Sequence, residues 1–153
     1  MRAIKQFREF IDSGVVKRQS PNILRAKSLI VEAEQDYNYL NELIKTIGIQ
    51  DRNANDYVKK CYDILMEITR AKLFLGGLNA SGNNAHEAEV AYWVNLNFTE
   101  YEVQFLDQMR FFRNGMLYYG TILDKEYAEK VIQFTMKNYK KLKKIVEDKI
   151  VKF

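Results

Sequence analysis

The chain has little that would break a helix. Its 153 residues include one proline, Pro21, and seven glycines, too few for a sheet protein with its many tight turns. One cysteine, Cys61, excludes an internal disulfide, and a reducing cytoplasm is the expected setting. With one histidine, His86, no zinc cluster of cysteines and histidines can be assembled, and most hydrolytic triads are excluded. No Glu-x-x-His pair is present for a carboxylate di-iron centre. Neither G-x-x-x-x-G-K-[ST] nor a glycine-rich G-x-G-x-x-G turn occurs, so the known nucleotide cradles are excluded too. No metal and no cofactor is expected. Charges scattered through the first eight residues fit neither a signal peptide nor an anchor, and no apolar run is long enough to cross a bilayer.

What is present is an ordinary globular composition, 47% hydrophobic, 13% aromatic and 29% charged, in a length that suits one domain with a proper core. The net charge of +4 is unevenly placed. In residues 125–153 nine lysines meet four acidic residues, an excess of five, which leaves −1 for the rest. Such a basic helix can track a phosphate backbone, but a solvated lysine face is the plainer reading.

Apolar spacing of three and four predicts helices throughout. A short one covers residues 2–12, with residues 1–19 as a terminal helix and linker. Ser20 and Pro21 form a cap and first-turn pair for a long helix that Gly48 ends. A third helix begins at a cap on Asn53 or Asn55, buries Tyr57, Cys61, Ile64, Leu65 and Ile68, and stops at Gly76 and Gly77. Residues 79–83 read as the most flexible loop. Asn84 with Glu87, and Thr99 with Glu102, have capping-box spacing, opening a short helix and then one over residues 100–119. Asp124 caps the last. Four long helices on short links, with two short ones, specify an antiparallel all-α bundle forming a single domain, and no strand pattern competes.

The helix over residues 100–119 is the one around which the chain is expected to be organised. At 100° per residue, Phe105, Met109, Phe112, Met116 and Tyr119 form a stripe expected to face the core. Arg110, Asn114 and Tyr118 follow on the other side with Arg113, in company with Val103, Leu106 and Leu117, which makes a mixed face of the kind used in docking. Arginine presents a fork of donors to phosphate. Arg110, Arg113 and Asn114 therefore suit a phosphate or ribose site, and equally they suit carboxylates on neighbouring helices. His86, beside Glu87, can serve as a general base, although a surface or cap role is the plainer reading. Cys61 sits on a core stripe as a small hydrophobe.

With these residues in hand, the chain resembles the HEPN family (higher eukaryotes and prokaryotes nucleotide-binding). The resemblance rests on the long helix over residues 26–43, the helix over residues 57–75, the turn at His86 and Glu87, and above all Arg113-Asn114-Gly115-Met116-Leu117-Tyr118, followed by a tyrosine, a glycine and a last long helix. The family hallmark is R-N-x-x-x-H. The resemblance implies a helical homodimer in which the arginine-bearing helices meet. It implies RNA or nucleotide phosphate held by Arg113 and Asn114, metal-independent ribonuclease activity in the active members, and a small nucleotidyltransferase partner of the toxin and antitoxin kind. Tyr118 stands where the catalytic histidine belongs. A phenol titrates near pH 10 and shuttles protons poorly at neutral pH, so phosphate binding without efficient cleavage is the expectation. In some relatives a tyrosine two places beyond the histidine is modified, and here that place is Gly120.

Overall fold

The computed structural model describes residues 3–151. The elements run α1 (Phe7–Asp12), β1 (Val16–Arg18), α2 (Ile23–Thr46), a 3-10 turn (Asp51–Asn53), α3 (Ala54–Leu75), β2 (Leu78–Ala80), α4 (Ala85–Asn95), α5 (Glu100–Tyr119) and α6 (Lys125–Val151). The all-α helical bundle is as the sequence predicts. The first helix starts at Phe7, with residues 3–6 non-helical where a helix from residue 2 was expected, and the expected end of the last helix at Phe153 lies outside the described residues.

The helix at the centre is α3, not α5. It buries side chains around most of its circumference, among them Val58, Cys61, Leu65, Met66 and Ile68, leaving Asp56, Lys60 and Asp63 exposed. Helices α2 and α6 pack against it, with α5 and α4 completing the enclosure. Tyr37 of α2 stacks on Tyr139 of α6 with ring centroids 3.8 Å apart, closing the bundle on that side. Trp93 of α4 is fully buried and donates from Nε1 to Thr69 Oγ1 at 2.9 Å, which satisfies its one polar atom inside the core. Cys61 is buried as expected, and burial pushes its thiol up to about 12.

Two local expectations are corrected by long-range bonds. The cap of α2 is Asn22, whose side chain accepts from Arg25 N at 3.0 Å, not the Ser20 and Pro21 pair. The backbone N–H groups of Gln19 and Asn22 donate to Gly77 O and Phe74 O, which holds residues 19–22 extended alongside the end of α3. This same pairing creates a small antiparallel ribbon, Val16 opposite Ala80 and Arg18 opposite Leu78, where a loop was expected. Three-residue strands carry no readable alternation. The turn needs Gly77, whose φ is +69° and where an added Cβ would lie 2.5 Å from Gln19 O.

The helix starts are unequal. Thr99 and Glu102 form the full capping box: Glu102 N donates to Thr99 Oγ1 at 3.2 Å and Thr99 N to Glu102 Oε1 at 2.9 Å. Asp124 accepts from Tyr127 N at 2.8 Å. Asn84 does not form the expected box with Glu87, because it adopts a left-handed conformation (φ +69°) and offers no side-chain cap.

Candidate functional site

The orientation of α5 departs from the expected one. Met109 is buried as expected, but so are Val103, Leu106 and Arg110 of the other face, whereas Tyr119, expected in the core, is 86% exposed. Phe105, Phe112 and Met116 are partly buried against the core. Over most of its length α5 thus turns the arginine side inward against α4 and α3, and only its last turn, from Leu117, projects. A buried guanidinium is tolerated only when paired, and this one is. Arg110 Nε donates to Asp107 Oδ1 at 2.8 Å, with Glu87 Oε1 3.9 Å from Nη1. The cleft it borders, shared with Lys5, Glu87 and Asp107, measures about 60 Å³, far below the several hundred needed for a small-molecule ligand.

One turn further on, Arg113 is closer to the surface. Its Nε donates to Asp63 Oδ1 on α3 at 3.1 Å, and its guanidinium carbon lies 5.6 Å from the centroid of the Tyr62 ring. Asn114 is half-buried, and Tyr118 is 74% exposed with its ring against Tyr119. Of the four site residues read from the sequence, Arg110 and Arg113 share the neighbourhood of Tyr62. Tyr118 lies on the projecting end.

Sequence reasoning missed the group that organises this region. Glu89, buried on α4, receives Arg70 of α3 in a fork, Nε to Oε2 at 2.6 Å and Nη2 to Oε1 at 3.3 Å. His86 Nδ1 stands 3.1 Å from Glu89 Oε1. Because a carboxylate only accepts, Nδ1 carries the proton, and in the neutral ring Nε2 is left as the basic nitrogen. The His86 ring meets the Tyr62 ring edge-on, centroids 6.1 Å apart. Tyr62 is therefore flanked by His86 and Arg113. Its own hydroxyl is buried with no hydrogen-bond partner among the described residues. Burial, and then Glu89, hold this phenol well above its usual range, against the pull of Arg110, Arg70 and Arg113. The i, i+3 spacing of His86 and Glu89 was visible in the sequence; Arg70 and Tyr62, contributed by α3, were not.

Two further surface features lie on α5. The C-terminal half of α5 exposes Phe111, Leu117, Tyr118 and Tyr119, with Ile122 beyond it, an apolar patch of the sort that marks interfaces. Between α5 and α6 runs a groove of about 430 Å³ lined by Tyr101, Phe105, Phe112 and Tyr127 together with Lys130. No described helix is long and apolar enough to cross a membrane. No protein-family model, curated protein or solved structure matches the chain. Fold and site together define an all-α bundle with a paired, largely internal cluster of arginines and carboxylates around one tyrosine.

Proposed function

We propose that the chain is a HEPN-like bundle that works as a homodimer and binds RNA or nucleotide phosphate beside Arg113 and Asn114, with a small nucleotidyltransferase as partner and without efficient catalysis. The observation that carries this reading is the exposed apolar patch of Phe111, Leu117, Tyr118 and Tyr119 on the same helix as Arg113. Burying it against a second copy brings two Arg113 edges towards one seam. Arg113 is the member of the arginine pair within reach of a ligand: its carboxylate partner, Asp63, is half exposed, and such pairs are weak enough to exchange for phosphate. Arg110, sealed on Asp107, positions α5 instead.

The test is light scattering on the purified chain, followed by titration with labelled single-stranded RNA and with nucleotides. A dimer at micromolar concentration, made monomeric by Leu117→Glu, and RNA or nucleotide binding that Arg113→Ala abolishes, are the expected results. A wild-type monomer removes the seam. Arg113→Ala that lowers thermal stability while wild type itself binds nothing above background makes the arginines structural only.

A second reading, metal-independent ribonuclease, is favoured by one specific observation. His86, with Nε2 set as the base by Glu89, and Arg113 flank the same ring. In that reading His86 takes the role left open by Tyr118. Cleavage of RNA by wild type but by neither His86→Ala nor Arg113→Ala selects it; equal cleavage by all three ends it.

A further inference from the structure

Where α3 faces α2, two helix-spaced acidic pairs meet. Glu32 and Asp36 are four residues apart on α2, and Asp63 and Glu67 four apart on α3, so each pair lies on one helix face. They line a cleft of about 280 Å³ with Tyr39 and Lys60. Asp63 is occupied by Arg113. Among the described residues the other three make no ion pair, and carboxylate oxygens of Glu32, Asp36 and Glu67 all lie within 4.8 Å of one another, with a side-chain hydrogen bond between Glu67 and Asp36. The ammonium of Lys60 lies over the Tyr39 ring, 5.8 Å from its centroid.

Acidic residues gathered on a surface need no ligand, but Glu67 is not on the surface. It is only 7% exposed, and its Oε2 is buried without a hydrogen-bond partner among the described residues. An orphaned carboxylate oxygen inside a cluster of like charge is unfavourable on two counts, desolvation and repulsion. A cation answers both. Oxygens this close can share one ion, since ligands on opposite sides of Ca²⁺ stand up to about 4.8 Å apart. All the donors are oxygens, which selects hard cations over zinc or copper.

We propose that Glu32, Asp36 and Glu67 form a binding site for one hard divalent cation of the Mg²⁺, Mn²⁺ and Ca²⁺ class, tying α2 to α3. The ion replaces whatever proton the three carboxyls share and takes water for its remaining positions. Because Asp63 lies one turn from Glu67 on α3 and holds Arg113, the site also borders the arginine edge of the molecule. The proposal stands whether or not that edge binds phosphate.

The experiment is titration of the EDTA-treated, dialysed full chain with Mn²⁺, reading free ion by electron paramagnetic resonance. One Mn²⁺ per chain, displaced by Ca²⁺ or Mg²⁺, is expected. Glu67→Gln and the exposed Glu32→Gln each weaken binding about tenfold or more, while Glu126→Gln, on the exposed face of α6, leaves it unchanged. Absence of saturable binding up to about 1 mM, the weak end for such sites, overturns the proposal and leaves a shared proton as the explanation of the cluster. Equal affinity in Glu32→Gln and wild type overturns it as well, and Glu32 is exposed enough that its substitution does not endanger the fold.

Discussion

Glu89 binds Arg70 and His86 with the same carboxylate, through Oε2 at 2.6 Å to one and Oε1 at 3.1 Å to the other. A single buried acid thereby fixes a residue of α3 and the first turn of α4. Glu89→Ala leaves the Arg70 guanidinium, about a third exposed, without its partner. A loss of about 2 to 3 kcal/mol in urea unfolding is expected, somewhat below the full cost of breaking a buried pair because water reaches Arg70. Glu89→Gln, which retains one acceptor, is expected to recover part of it. A loss below about 0.5 kcal/mol, the range of neutral surface changes, would mean that the fork contributes nothing.

Glu67 governs the expected dependence on pH. Burial, then the neighbouring Asp36, raise its carboxyl from the ordinary 4.5 to about 9. The folded chain therefore holds this proton between about pH 4.5 and 9 while the unfolded chain releases it, so stability falls as pH rises across that window. Melting in EDTA at pH 5, 7 and 9 should show a progressive decline, and Glu67→Gln should flatten it. A melting temperature that rises from pH 5 to 9 in wild type would contradict the assignment.

The turn between α5 and α6 is held from a distance. Asn55 on α3 donates from Nδ2 to Thr121 O and accepts from Leu123 N through Oδ1, both at 2.8 Å. Asn55→Ala removes both bonds and leaves two backbone groups to find water. A cost of about 2 kcal/mol is expected, with faster proteolysis within residues 117–123. Unchanged proteolysis would place the restraint elsewhere.

Gly115 is a helical glycine with a steric reason. A Cβ there would stand 2.5 Å from Thr121 Oγ1, where the chain folds back so that Thr121 N bonds Gly115 O at 3.2 Å. Alanine is otherwise better in a helix by about 1 kcal/mol. Gly115→Ala should nevertheless destabilise, and Thr121→Ala added to it should recover part of the loss, the remaining Thr121 Cβ standing 3.2 Å from the added carbon. A double-mutant cycle with no coupling between the two positions would show that the contact is relieved at no cost.

Much of the fold was legible because it is local. The long helices follow from three-four spacing, the start of α5 from Thr99 and Glu102, and the start of α6 from Asp124, each a matter of residues a few places apart. The ribbon was not legible, since its strands are three residues long and lie some 60 positions apart. The candidate site divides in the same way. Arg113 stood out in its own segment, but Tyr62 and Asp63 beneath it belong to a helix fifty residues earlier. The carboxylate cluster was overlooked because metal ligands were sought as histidines and thiolates, while Glu32, Asp36 and Glu67 look like ordinary solvated charges until α2 and α3 are laid together.

Composition and periodicity by themselves determined that this chain is helical and where most of its helices begin and end, because caps and apolar spacing act within one turn. Tertiary structure alone decided that α3 is the central helix, that the arginine side of α5 faces inward, and which acid meets which base. A helix with apolar residues on two faces can bury either, and the choice falls to the face whose charges find partners on the helices packed against it.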